Sequence, residues 1–174
     1  RLIDFVLSNL VNAKVYNVGI VTNGNYRSLM DHLGSGIYWD LDRRNGGLRI
    51  LPPYYTNKTR RYKGYIEALV GAIDFIKRSG SQYIVLCEPC FVANIDIASA
   101  IKSHVKNEAD VTIIYSKGKV PEKLPNKLCF TLDENNRVND IAVPEDSESV
   151  TNYGLGTIIF NSDKLIKLIK EAYD

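Results

Sequence analysis

The sequence is poor in several features, and each shortage excludes a class of protein. It holds three cysteines in 174 residues, without the spacing of a secreted disulfide framework. It has no apolar run of about 18 residues, the length that a membrane-spanning helix needs. It also shows no charged and then apolar leader of the kind that directs secretion. These absences favour a protein of the reducing cytoplasm.

Charge and short motifs are equally uninformative about partners. The formal net charge of +2 is too small to indicate nucleic-acid binding. The chain has neither a G-x-x-x-x-G-K-[ST] phosphate loop nor a G-x-G-x-x-G loop, and it has no G-x-S-x-G elbow. Its 174 residues suit one domain with a substantial core.

What the sequence does contain is an alternation of short apolar strands with helices of about ten residues, which favours a mostly parallel, three-layer α/β fold. The tail departs from this alternation, because a hairpin is predicted around the turn at Asp133 to Asn136. Strands are predicted at 18–22, 48–51, 83–86, 111–115, 127–132, 138–143 and 156–160, and helices at 2–13, 26–33, 65–77, 96–105 and 163–173.

The end of the strand at 83–86 is the most informative place in the chain. It carries Cys87, Glu88, Pro89 and Cys90, where ligands bind in open α/β sheets. The C-x-x-C spacing allows a redox pair or half of a zinc site, but no second paired motif supports zinc. The plainer interpretation is small, buried, apolar side chains at a strand end.

A basic cluster is the second candidate site. Tyrosines are interleaved with Lys58, Arg60, Arg61 and Lys63, and such a cluster can hold an anionic ligand such as a phosphate. The alternative is a solvated loop. The two histidines, His32 and His104, lie within helical patterns and are predicted to be structural.

Several ordered segments resemble ADP-glucose pyrophosphorylases, the glucose-1-phosphate adenylyltransferases. Residues 1–9 resemble the R-x-I-D-F-x-L-S-N segment of that family, and residues 62–68 resemble its Y-R-G-T-A-D-A segment. The likeness covers nearly the whole chain, and further similar segments follow in the family's order at 19–23, 50–52, 109–112, 132–135 and 155–156.

The resemblance implies a Rossmann-like nucleotidyltransferase domain and a reaction. The family joins ATP and glucose 1-phosphate to give ADP-glucose and pyrophosphate, with magnesium, for glycogen synthesis. Residues 1–174 are expected to form part of the nucleotidyltransferase domain. The family's N-terminal Gly-rich loop and its C-terminal β-helix domain are expected to lie outside these residues.

The chain differs from the family's sequence pattern at positions where the resemblance places catalytic and ligand-binding residues. The family's Gly-Asp, whose Asp binds the metal, aligns with Pro89-Cys90, and a neutral thiol is a poor magnesium ligand. The Thr near the nucleotide becomes Tyr65, and the adjacent Asp becomes Glu67. The Lys that holds the sugar phosphate aligns near Val143, and no Lys occurs between residues 128 and 163.

These losses resemble the GlgD-type regulatory subunit of bacterial ADP-glucose pyrophosphorylase. The resemblance implies weak or no activity, no bound magnesium, and a hetero-oligomer with a catalytic subunit. It places Asn23, Gly64, Tyr65, Glu67 and Gly156 along the remaining nucleotide and sugar cleft.

The resemblance also makes Arg1 and the basic cluster candidates for an anionic effector. Two alternatives stay open. One is an active enzyme in which Glu88 or Asp96 replaces the missing carboxylate, and the other is a sugar-nucleotide sensor without catalysis.

Overall fold

A computed structural model of the chain describes residues 1–23, 26–53, 62, 64–121, 128–142 and 150–173. The predicted elements are all present, with a short 3-10 turn at Ile37–Trp39 added. The helices are α1 (Leu2–Asn12), α2 (Arg27–Leu33), α3 (Tyr65–Ser79), α4 (Ile97–Lys106) and α5 (Ser162–Tyr173), and the strands are β1 (Asn17–Val21), β2 (Gly47–Leu51), β3 (Tyr83–Cys87), β4 (Val111–Lys119), β5 (Cys129–Leu132), β6 (Val138–Ala142) and β7 (Val150–Asn161).

The strands form two sheets. β1 pairs with β2 in parallel, from Asn17 opposite Gly47 to Val21 opposite Leu51. The second sheet has five strands, with β7 at its centre and β3, β4 and β5 as its neighbours, while β6 pairs with β5. The twelve residues of β7 therefore organise the larger sheet.

The pairing directions refine the predicted sheet. The α/β class is confirmed, and the parallel pairing lies in β1–β2. The ladders of the larger sheet are antiparallel among the described residues. The reason is that β7 returns after the β5–β6 hairpin and runs antiparallel to β3 and β4, a reversal that strand and helix alternation does not encode.

One hydrophobic cluster joins both sheets. It combines Leu7 and Leu10 of α1 with Val18 and Ile20 of β1, and Val85 of β3 packs against it. Every second residue of β1 is buried, as expected for a strand with one face on the core.

Helix α3 lies close to β1 at a glycine. A Cβ built on Gly19 would lie 2.7 Å from Cε1 of Phe75 in α3, so only glycine lets the Phe75 ring pack this close to β1. This contact fixes α3 on the sheet and, with it, the N-terminal end of α3 that enters the candidate site.

The buried histidine is structural, as predicted. His104 is 1% exposed, and its ring nitrogens face Oγ1 of Thr112 at 2.8 Å and Oδ1 of Asn161 at 3.4 Å. It therefore ties α4 to β4 and β7. Among the described helices, none combines the length and apolarity required to cross a membrane.

Candidate functional site

The carboxyl end of β3 turns tightly against β7. The backbone N–H of Glu88 donates to the carbonyl oxygen of Gly156 at 2.7 Å, and the N–H of Cys90 donates to the carbonyl of Glu88 at 2.8 Å. Cys87, the last residue of β3, is paired with Thr157. The turn from Cys87 to Cys90 is therefore held by backbone hydrogen bonds rather than by side chains alone.

Gly156 makes this close approach possible. Its φ is +69°, and a Cβ at this position would lie 2.9 Å from Sγ of Cys90 and 3.1 Å from Cβ of Glu88. The β4–β7 register shifts here, since Ile114 pairs with Thr157 and Tyr115 with Gly154. Gly156 thus lies in a bulge of β7, a feature often found beside functional sites.

The two thiols of the turn stay protonated at neutral pH. Burial raises the pKa of Cys87 to about 11, although a hydrogen bond from Oγ1 of Thr157 opposes the shift. Burial also raises the pKa of Cys90, and the negative charge of Glu88 raises it further. Redox-active cysteines have lowered pKa values, so these thiols do not have the electrostatics of a redox pair.

This electrostatic environment predicts a pattern of thiol alkylation. At pH 8 a thiol of pKa about 11 is thiolate in roughly one molecule in a thousand, and Cys129 is 1% exposed. We expect iodoacetamide to modify Cys90 first and to leave Cys87 and Cys129 largely intact, with Cys87 reacting faster as the pH rises toward 11. Mass spectrometry of peptides over a pH series measures this order.

Equal labelling of the three cysteines in urea provides the control for that experiment. Modification of Cys87 at pH 8 as fast as Cys90 would contradict the assignment of a partly buried, protonated Cys87.

Tyr65, the first residue of α3, belongs to the same site. Its side chain is about half exposed, yet partial burial raises its pKa to about 12, and the charge of Glu88 adds to the shift. Cys87 and Cys90 contribute in the same direction. Leu86 of β3 packs against a hydrophobic cluster that includes Leu69 of α3, so the N-terminal part of α3, which also holds Glu67, lies beside the end of β3.

Gly64 precedes this helix as its N-cap in an extended conformation. A Cβ at Gly64 would meet nothing within 4 Å, so neither strain nor packing among the described residues requires glycine there. Close approach of a ligand to the backbone is another use of glycine.

Asn23 lies just after the carboxyl end of β1 and binds the backbone of Tyr62, two residues before the N-cap Gly64 of α3. Its Nδ2 donates to the carbonyl of Tyr62 at 3.2 Å, and its Oδ1 accepts from the N–H of Tyr62 at 3.0 Å. The Tyr62 hydroxyl donates to the carbonyl of Pro52 at 3.3 Å, just after β2. The ends of β1 and β2 are thereby joined to the approach to α3.

The remaining predicted site residues lie elsewhere or outside the described residues. Arg1 donates from its guanidinium to the carbonyl and the hydroxyl of Ser28 at 2.7 and 2.9 Å, which places it against α2. The basic residues Lys58, Arg60, Arg61 and Lys63 are outside the described residues, as is Val143.

Asp96 caps helix α4. Its two carboxylate oxygens accept from the backbone N–H and the hydroxyl of Ser99 at 2.9 and 2.7 Å. These hydrogen bonds lower the pKa of Asp96. Its contacts are those of an N-cap residue.

The donor chemistry at the end of β3 fits magnesium poorly. Mg²⁺ prefers hard oxygen ligands in octahedral geometry, whereas this turn offers two neutral thiols and the carboxylate of Glu88. Across the part of the chain that the structure describes, no three His, Cys, Asp or Glu side chains are grouped to hold a metal ion.

Two residues that sequence patterns did not assign to the site help to build it. Thr157 contacts Cys87 through its hydroxyl, a contact set by strand pairing. Asn9 lies on the largely apolar stripe of α1, is 9% exposed, and binds the backbone of Ala93 and Ile95 just after the turn. A buried amide on such a stripe signals a specific hydrogen-bond partner, but not which one.

Comparison with known proteins shows the family to which the chain belongs. Residues 1–173 match the family described as Nucleotidyl transferase. The chain is 35% identical over 172 residues to a glucose-1-phosphate adenylyltransferase of Clostridium perfringens strain SM101, covering 98% of this chain and 44% of that protein. It is 42% identical over 134 residues to the glycogen biosynthesis protein GlgD of Geobacillus stearothermophilus, covering 76% of this chain and 39% of that protein.

The fold also matches a solved structure, that of a Bacillus anthracis protein assigned as a glucose-1-phosphate thymidylyltransferase in complex with sucrose. The TM-score is 0.71 at 17% identity, over 98% of this chain and 62% of that one. This likeness supports the fold alone. The chain spans less than half the length of the two curated relatives.

Proposed function

Because this chain belongs to the nucleotidyl transferase family, we propose that it is part of a glucose-1-phosphate adenylyltransferase subunit of glycogen synthesis with little or no activity of its own. The subunit acts by assembling with a catalytic subunit and changing that subunit's turnover or response to effectors. Similarity to both an adenylyltransferase and a GlgD protein supports this assignment.

The observation that carries the proposal is the chemistry of the β3 turn. Catalysis of nucleotidyl transfer needs a metal ion to neutralise the phosphates as phosphorus is attacked. Cys90 stands where the resemblance expects the metal carboxylate, and its raised pKa keeps it neutral. The turn is also held against β7 by the hydrogen bond from the N–H of Glu88 to the carbonyl of Gly156 at 2.7 Å. We therefore propose that this chain does not bind magnesium there.

The remaining cleft would be lined by Asn23, Gly64, Tyr65, Glu67 and Gly156. Glu88 interacts with both Tyr65 and Gly156. Its charge helps to raise the pKa of Tyr65, and its backbone N–H donates to the carbonyl of Gly156. Arg1 and the basic cluster from Lys58 to Lys63 are proposed to contact an anionic effector.

An active enzyme is the second candidate, since Glu88 supplies one carboxylate in the turn itself. Asp96 is less suited to this role, because both of its oxygens already accept hydrogen bonds from Ser99.

The test is a mixing experiment with the full-length protein and its catalytic homologue. Pyrophosphate release from ATP and glucose 1-phosphate is measured for the protein alone, for the homologue alone, and for the two together with candidate effectors. The proposal expects no release above background from the protein alone and a changed turnover or effector response in the mixture. Strong activity alone would support the second candidate, and silence in both settings would instead favour a sensor.

A further inference from the structure

The segment that follows the β3 turn is anchored at two places although it forms neither helix nor strand. Residues 91–96 connect the turn to α4. Phe91 stacks on Tyr153 of β7 with ring centroids 6.5 Å apart. On the other side, the segment meets the amide of Asn9, which belongs to α1.

The Asn9 amide pairs with this segment much as a neighbouring strand would. Its Nδ2 donates to the carbonyl of Ala93 at 2.8 Å, and its Oδ1 accepts from the N–H of Ile95 at 3.4 Å. The contact spans more than 80 positions of sequence, as the separations of 84 and 86 show. Satisfying an irregular backbone this way avoids the cost of burying unpaired polar groups.

The same side chain is held in place by its helix. Asn9 lies between Leu7 and Leu10, which are buried in the main cluster. Because α1 is fixed by that core, the amide presents a rigid donor and acceptor to the segment. Residues Glu88 to Ile95 are thus held at one end by Gly156 and at the other by Asn9.

We propose that Asn9 is a positioning residue for the cleft: it holds the Ala93–Ile95 backbone so that the Glu88–Cys90 turn stays seated against Gly156. This inference rests on the proposed function for its biological meaning. The seated turn borders the proposed cleft at Gly156, and its position is proposed to determine the effect on the catalytic partner. Asn9 itself touches no ligand in this account.

The test uses Cys90 as a reporter of the turn. In Asn9→Ala, the rate of Cys90 alkylation by iodoacetamide is expected to rise about tenfold, since loss of local hydrogen bonds favours local opening. Cys87 and Cys129 should keep their slow rates. Global destabilisation would expose all three thiols together, so faster alkylation of Cys90 alone distinguishes positioning from a general structural role.

Two further variants keep the inference falsifiable. Asn9→Ser is uncharged and its hydroxyl can replace at most one of the two hydrogen bonds, so it should raise the Cys90 rate less than Asn9→Ala does, and it carries the test if Asn9→Ala fails to fold. Asn152→Ala is the matched control, because this part-buried amide also binds a remote carbonyl, that of Phe130 at 3.1 Å. It should leave Cys90 protected.

Unchanged Cys90 protection in both Asn9 variants, or equal acceleration at all three cysteines in the folded Asn9→Ser protein, would overturn the positioning role. The mixing assay then separates this inference from the proposed function. If Cys90 is alkylated faster while the effect on the catalytic partner stays unchanged, the proposed link between the position of the Glu88–Cys90 turn and regulation is overturned. Activity of the unmodified protein alone would overturn the proposed function and leave the role of Asn9 standing.

Discussion

Replacing Gly156 with alanine is expected to lower the free energy of unfolding by about 2–4 kcal/mol. Its φ of +69° is a conformation that alanine adopts only with strain. The added methyl group would also lie 2.9 Å from Sγ of Cys90 and 3.3 Å from the carbonyl oxygen of Glu88. Since the carbonyl belongs to the backbone of the turn, the clash cannot be relieved by a side-chain rotation alone. Urea denaturation followed by circular dichroism measures the effect.

Two comparisons separate the causes. Gly118→Ala is the matched control, because its nearest neighbour would be 3.9 Å away, and we expect it to change stability by less than about 1 kcal/mol. Adding Cys90→Ala to Gly156→Ala should recover the part of the loss that comes from the sulfur contact and leave the backbone strain. A Gly156→Ala protein as stable as the wild type would contradict the described geometry of the turn.

If the proposed function is right, introducing the two groups that the resemblance finds missing should produce nucleotidyl transfer. Under the proposed function, Cys90→Asp in the full-length protein would supply an oxygen ligand at the turn, and Val143→Lys would supply the cation that the resemblance places there for the sugar phosphate. We expect magnesium-dependent pyrophosphate release to rise on the order of tenfold or more above the wild-type background, because metal and charge stabilisation dominate phosphoryl-type transfer.

The appropriate controls are Cys90→Asn, which has the size of aspartate without its charge, and each single substitution. Cys90→Asn with Val143→Lys should remain at background. Turnover that does not depend on magnesium, or no turnover in the double variant, would contradict the view that these two positions account for the lost activity.

Much of the fold was predictable because its periodic segments are strong. The pattern placed α3 at 65–77 and the structure has it at Tyr65–Ser79. The two strands flanking Asp133 to Asn136 were expected as a hairpin and are paired as β5 and β6. Local patterns determined these elements because the apolar face and the turn residues lie within the same few positions.

β4 and β7 are longer than predicted, which shows that the local sequence pattern does not determine where a strand begins or ends. β4 was expected to end at Tyr115 but continues to Lys119, and β7 was expected at 156–160 but begins at Val150. The residues added to β4, Ser116 to Lys119, are polar or glycine and have little strand propensity, whereas those added to β7 include Val150, Thr151 and Tyr153, separated by Asn152 and Gly154 into no continuous apolar run. They are strands because β4 and β7 pair along this length, from Lys119 opposite Val150 onward.

The candidate site also combines residues that the sequence pattern identified with contacts that it could not predict. The motif from Cys87 to Cys90 was visible as a strand end, and its position at the β3 terminus is confirmed. Its contact with Gly156 depends on a bulge in β7 far along the chain, and the contact of Asn9 with Ala93 depends on how α1 packs. Sequence pattern supplies candidates for such residues, but tertiary packing decides which of them meet.

The most direct measurement is pyrophosphate release by the full-length protein on its own, with ATP, glucose 1-phosphate and magnesium, beside its catalytic homologue under the same conditions. The account predicts release indistinguishable from the blank for this protein and robust release for the homologue. Magnesium-dependent turnover by this protein alone, at a rate comparable to the homologue, would contradict the claim that a neutral thiol at Cys90 has ended its catalysis.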